Sequence, residues 1–145
     1  MIALLQRVSH GSVFVDGVAV GQIGHGIVLF LGIEKGDSTE QAEKLAERIV
    51  NYRLFADDDG KMNACLQDTL GGLLIVPQFT LAADTSQGRR PGFEPAAVPA
   101  DAEPLFEKFV EAAYALHGQV AVGTFGADMQ VNLTNDGPVT FILNG

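Results

Sequence analysis

Side chains that attack, shuttle protons or bind metals are sparse along this chain. The three histidines, His10, His25 and His117, all stand at expected turns or element ends. None belongs to a His-Glu-x-x-His motif, which would set two ligands on one helical face, and each reads as a solvated turn residue. Cys65, the single cysteine, lacks an activating neighbour and reads as a small buried apolar residue. One cysteine also excludes an internal disulfide framework and a multi-cysteine zinc site. Asp57, Asp58 and Asp59 adjoin Gly60 without the alternating spacing of a calcium loop, so a solvated hairpin turn is expected. No nucleophile elbow, P-loop or dinucleotide fingerprint occurs, and nothing asks for a metal or cofactor.

Two segments invite more attention. In Pro77-Gln78-Phe79-Thr80-Leu81 an apolar run gives way to a polar stretch. Proline forfeits a ladder N–H, so Pro77 marks an edge, a bulge or a strand end, and strand ends followed by long loops commonly carry binding sites. Thr80 either caps a turn there or faces a ligand, and spacing alone favours the cap. The second segment is Asn135-Asp136-Gly137-Pro138-Val139-Thr140, strong turn chemistry that reads as a hairpin loop between two strands. Bare statistics favour a trans Gly-Pro bond, because only about 5–6% of X-Pro bonds in folded proteins are cis.

The elements that must position these segments are well marked. Residues 8–15 gather β-branched side chains, Asp16-Gly17 is a hairpin dipeptide, and residues 18–23 return with apolar alternation. Gly24-His25-Gly26 reads as a second turn, followed by an unbroken apolar run over 27–33 that suits a strand buried on both faces. Ser38 and Gln41 have capping-box spacing, and Ala42, Leu45, Ala46, Ile49 and Val50 share one face of the helix that follows. Residues 73–76 restart a buried strand, and residues 82–100 form a long polar loop with Pro91, Pro95 and Pro99. Asp101 is expected to cap a second helix that tolerates Pro104 in its first turn and stops near His117. Its core face is expected to combine Leu105, Phe109, Ala112 and Leu116 with Phe106, Val110 and Ala113. Three strands, over 119–125, 129–134 and 139–144, close the chain. One α+β domain over residues 1–145 follows, with mostly antiparallel strands and two covering helices.

With 47% hydrophobic and 19% charged residues, the 145-residue chain can bury a continuous core. Nine basic against 18 acidic residues give a net charge of -9. That excludes a protein that coats duplex DNA or an anionic membrane, since such binding rests on Lys and Arg neutralising phosphates. It leaves room for a small site that touches one end of a nucleic acid. The longest apolar run is too short to span a bilayer, and the first residues lack the pattern of a signal peptide, so the cytoplasm is the expected compartment.

Taken together, several segments resemble the D-aminoacyl-tRNA deacylase family. They are Gln6-Arg7-Val8, Gly60-Lys61-Met62-Asn63, residues 78–85 beginning Gln78-Phe79-Thr80, Arg90-Pro91, residues 125–131 and residues 135–140. The resemblance implies a compact barrel-like domain forming a homodimer, in which a Gly-cis-Pro motif from each subunit enters the partner's active site. Gly137 and Pro138 would be that motif, facing Gln78, Phe79 and Thr80 of the other chain. Arg7 would hold the motif in place, while Phe125 and Met129 would line the pocket. Main-chain carbonyls of the motif would accept from the substrate ammonium group and fill the space an L side chain needs, so chirality is decided by exclusion. Glycine would pass, making mischarged glycyl-tRNA(Ala) a second substrate.

The same resemblance implies RNA-assisted hydrolysis, the terminal ribose 2′-OH helping to activate water. Backbone N–H groups at Phe79 and Thr80 would receive the oxyanion. Aminoacyl-tRNA is the expected partner through its acceptor end, with Lys61, Arg89 and Arg90 contacting phosphates. Pro77 stands where the family usually has serine. A related animal branch shares that proline but follows it with Gln-Ala-Thr and a trans Gly-Pro bond; this chain keeps Phe79, so the D-specific type is expected. Thr124 also departs from the arginine that often precedes the Phe. Two other readings stand beside this one: a broader aminoacyl-ester hydrolase with Thr80 as nucleophile, and a non-catalytic tRNA-end-binding module.

Overall fold

The computed structural model describes all 145 residues. The fold grows from one long hairpin. Strand β1 (Ile2–Val15) turns at Asp16 and Gly17, whose φ values of 50° and 78° are those of a tight hairpin turn. Strands β2 (Val18–Ile23) and β3 (Gly26–Gly32) then run one after the other along the same edge of β1. Their pairing runs from Val15↔Val18, through a bulge between Val13 and Phe14, to Gly11↔Ile23, Val8↔Gly26 and Ile2↔Gly32. The turn expected at residues 24–26 is therefore a break within one return course and does not reverse the chain. The other edge of β1 is taken by β8 (Gln130–Asn144), from Ile2↔Asn144 to Phe14↔Gln130. The two strands expected at 129–134 and 139–144 are thus one strand, and residues 135–140 are not a hairpin loop.

Helix α1 (Thr39–Val50) carries the chain across to β6 (Gly72–Pro77), which pairs parallel with β3. Between them lie a small hairpin of β4 (Phe55–Ala56) and β5 (Met62–Ala64) and a one-turn helix, α2 (Leu66–Thr69). Helix α3 (Pro99–Leu116) makes the second crossover, to β7 (Val120–Val122), parallel to β6. Parallel neighbours need such crossovers, which explains why the two long helices lie where they do. Antiparallel pairings hold the β1 half of the sheet and parallel ones the β6 half. The sheet curls until β2 meets β7: a Cβ built on Gly21 would stand 3.1 Å from the Val122 carbonyl oxygen. The result is a nearly closed barrel.

Alternation sorts the core. Ile27, Leu29, Leu31, Leu73 and Ile75 face α1 and α3 in the larger apolar cluster, while Val28, Leu74 and Val76 meet Val8 and Val13 inside the barrel. Both faces of β3 and β6 are buried, which accounts for their unbroken apolar runs. Ser38 caps α1 in a capping box with Gln41, and the helix buries Ala42, Leu45, Ala46, Ile49 and Val50. Helix α3 differs from expectation. It starts at Pro99, whose missing N–H costs nothing at the first helical position, so Pro104 falls inside the helix. Its buried face is Ala102, Phe106, Phe109 and Ala113, while Leu116 is exposed. His117 is also no solvated turn residue: it is buried and its Nε2 donates to the Gly71 carbonyl at 2.7 Å. Cys65 is buried at the start of α2.

Leu29 is fully buried on the helix-facing side of the sheet. Leu29→Ala is expected to lower unfolding stability by about 2–5 kcal/mol, through lost burial and the cavity left behind. Urea unfolding checks this; a shift under about 1 kcal/mol would contradict the assigned core.

Candidate active site

Strand β6 ends at Pro77, and a single 3-10 turn (Phe79–Ala82) follows directly. The N–H groups of Phe79 and Thr80 open that turn, so they have no partner within it, and no backbone acceptor outside it takes them. Gln78 precedes the turn, and its Nε2 donates to Thr80 Oγ1. Beside this strip lies a cavity of about 590 Å3, lined mainly by apolar groups that include Pro77, Phe79, Phe125 and Met129. Phe79 is more than half exposed and its ring meets Phe93 at a centroid distance of 5.2 Å. Volume and lining suit a small organic group of low charge.

The polar stretch expected to be one irregular loop over 82–100 is more ordered than that. Asp84 and Gly92 exchange backbone hydrogen bonds of 2.7 and 2.9 Å, and Glu34 bridges to Ala96. Arg89 and Arg90 sit exposed on the small loop that the first of these bridges closes. The Asp84 carboxyl is held below its ordinary pKa, chiefly by the Ser86 N–H. Lys61 lies on the β4–β5 turn. There Asp57 accepts from the Asn63 side chain at 2.7 Å and from the Lys61 N–H at 2.9 Å, which hold its carboxyl below the usual range. Lys61, Arg89 and Arg90 do not line the cavity.

A second constellation forms around Arg7. Gln6 pairs with Thr140 and Val8 with Asn135, so residues 136–139 bulge from β8 opposite Arg7 alone. Arg7 Nε donates to the Asp136 carbonyl at 2.9 Å and Nη1 to the Leu54 carbonyl at 2.9 Å, pinning the bulge to the segment after α1. The Asp136 carboxylate, more than half exposed at 3.9 Å from Nε, adds little. The neck is closed by Asn135, whose Nδ2 donates to Thr140 Oγ1 and whose Oδ1 accepts from the Val139 N–H, both at 2.8 Å. Gly137 and Pro138 are exposed at the tip, and the bond between them is cis.

Of the residues expected at the site, the structure brings Gln78, Phe79, Phe125 and Met129 together at the cavity. Arg7, Gly137 and Pro138 gather in the bulge, and no bulge residue lines the cavity of its own chain. Phe93 and Lys35, which also line the cavity, were not among the expected residues. Only their position after elements that converge on β6 could have flagged them. His10 and His25 are exposed, and no histidine borders the cavity. No three His, Cys, Asp or Glu side chains gather closely enough to hold a metal ion.

The family model described as D-Tyr-tRNA(Tyr) deacylase matches residues 4–144. A D-aminoacyl-tRNA deacylase of Herminiimonas arsenicoxydans is 57% identical over 143 residues, covering 99% of this chain and 96% of that protein. One from Xanthomonas euvesicatoria pv. vesicatoria is 57% identical over 144 residues, covering 99% of both chains. Among solved structures, a protein titled c-Myc DNA Unwinding Element Binding Protein superposes with a TM-score of 0.95 at 36% identity, covering 100% of this chain and 99% of its own. A probable eukaryotic D-amino acid tRNA deacylase shares the fold, with a TM-score of 0.85 at 16% identity over 98% of this chain and 97% of its own. The chain belongs to the D-aminoacyl-tRNA deacylase family, a family of hydrolases.

Removing the guanidinium should release the bulge first. Arg7→Met is expected to speed hydrogen exchange at the Val139 amide by at least tenfold while the central strands β3 and β6 stay protected. Unchanged exchange there would show that Asn135 alone holds the bulge.

Proposed function

We propose that this protein is an editing hydrolase that cleaves the ester of D-aminoacyl-tRNA, and of mischarged glycyl-tRNA(Ala), while sparing L-aminoacyl-tRNA. The observation that carries this reading is the separation of two complementary parts. An Arg7-pinned bulge projects Gly137 and Pro138 into solvent, and an apolar cavity lined by Gln78 and Phe79, with Thr80 next along the turn but outside the lining, lacks any residue of that bulge. A second copy of the chain can bring the parts together. The outer edge of β8, which pairs only with β1, and exposed Ile142 on that strand support such a homodimer.

In this arrangement the partner's Gly137 and Pro138 carbonyls accept from the substrate ammonium and occupy the space on the L side of the α-carbon. A D side chain points away and glycine has nothing to exclude. Water attacks the ester carbonyl, the acyl C–O bond breaks, and the products are the free amino acid and a tRNA with its terminal hydroxyl restored. The Phe79 and Thr80 N–H groups take the oxyanion, being unpaired and preset. Gln78 orients Thr80. As the family resemblance implies, the terminal ribose 2′-OH helps to activate water, and Thr80 serves in binding and transition-state stabilisation; no histidine lines the cavity. Lys61, Arg89 and Arg90 are assigned to the phosphates of the acceptor end, and the cytoplasm is where this substrate is met. The net charge of -9 speaks against carrying over the DNA-element binding that one structural neighbour's title names.

Paired deacylation assays with D- and L-tyrosyl-tRNA test this reading: turnover of the D ester should exceed that of the L ester by at least a hundredfold. Equal rates would refute it. Thr80→Ala should lower kcat by less than about a hundredfold and a terminal 2′-deoxy tRNA should not turn over; complete loss in Thr80→Ala with binding intact would restore the covalent scheme. At Gly137, with φ of +140°, an added Cβ would stand 2.7 Å from Val139 Cγ2 and 3.1 Å from Arg7 Nη2. Gly137→Ala is expected to impair D-aminoacyl and glycyl turnover alike.

A further inference from the structure

The cavity beside Gln78 contains one charged side chain, Lys35, among residues otherwise neutral and mostly apolar. Lys35 is exposed, which sets it at the mouth. It follows β3 directly, its N–H donates to the Pro95 carbonyl at 2.9 Å, and Glu34 next to it bridges to Ala96. Its backbone is thus tied to the segment that forms another wall of the same cavity.

The acids nearest in sequence do not neutralise it. Glu34 and Asp37 both accept from the Met1 amine, at 3.0 and 2.7 Å, and the second Asp37 oxygen takes the Glu34 N–H at 2.7 Å. Like several exposed cations of this chain, Lys35 forms no ion pair; it differs from them in lining the cavity. It is the one cation at the mouth of a neutral cavity.

We propose that Lys35 receives the phosphate on the 5′ side of the terminal tRNA nucleotide, a positioning role in substrate binding. This rests on the deacylase reading above. A base and ribose can enter an apolar cavity, but a phosphodiester cannot leave water without a partner, so it stops at the mouth. Lys35 is the cation there, whereas Lys61, Arg89 and Arg90 lie away from the lining and suit phosphates further along the strand.

The test compares three esters of one D-amino acid: on tRNA, on 5′-AMP and on adenosine, the last lacking the phosphate. In the wild-type protein, KM should be lower for the AMP ester than for the adenosine ester. In Lys35→Ala that difference should vanish. KM for the tRNA ester should rise about five- to tenfold at unchanged kcat, and the salt slope of binding should fall by about 0.7. Lys35→Arg should restore most of the difference. Equal losses on all three esters would make Lys35 a structural support of the cavity wall, and no loss on any would remove it from the site; either result overturns the assignment. Failure of the wild type to turn over any of the esters would instead overturn the deacylase reading.

Discussion

Every part of the barrel that matters to the site is set by β1, whose two edges are occupied along almost its whole length. One edge holds β2 and β3 one after the other, the other holds β8. A strand so committed cannot slip by one residue without turning every core side chain to the wrong face. The consequence falls on β8. It must run the full length of β1, yet it has four residues, 136–139, where β1 offers only Arg7. The surplus is expelled as a bulge at a fixed point. Arg7 both creates the mismatch by its place in β1 and holds the extruded chain through the Asp136 carbonyl.

Much of this architecture was legible from apolar patterning. The unbroken runs of β3 and β6 announce burial on both faces, and the Ser38–Gln41 spacing marks the start of α1. What failed were the points where pairing overrides local turn chemistry. Gly24-His25 and Asn135-Asp136-Gly137-Pro138 have the composition of reversals, yet the chain continues along β1 in both places. A turn dipeptide permits reversal; the partner strand decides whether it occurs. The start of α3 failed for a related reason, since Pro99 reads as loop but is well suited to the first turn of a helix. His117, a polar residue after a helix, is buried with its ring N–H donating to the Gly71 carbonyl, a contact separated by 46 positions in the chain.

The candidate site was legible in its motifs but not in its assembly. Gln78, Phe79 and Thr80 stand out because an apolar strand stops at Pro77, a local signal. Phe93 and Lys35 carry no such signal. They reach the cavity because the bridges Asp84↔Gly92 and Glu34↔Ala96 fold the intervening segment back over the end of β3 and β6. Such contacts depend on strand order, which composition does not report.

The site also contains a physical economy that fits its proposed task. An aminoacyl ester is already activated, so its cleavage needs a preset oxyanion site and a positioned water more than a strong nucleophile. In the proposed reaction the D/L choice rests on exclusion at Gly137 and Pro138, because an L-aminoacyl ester carries the same ribose 2′-OH. A cavity without a serine–histidine pair, beside main-chain donors, fits the proposed reaction, which draws on groups that the seated substrate brings with it. The acidic surface works in the same direction. At a net charge of -9 the protein repels nucleic acid at long range, and screening confines that repulsion to about 8 Å in physiological salt. Only a flexible single-stranded end can reach across that layer to a few unpaired cations. In the proposed function this charge favours contact through a terminus over general RNA binding.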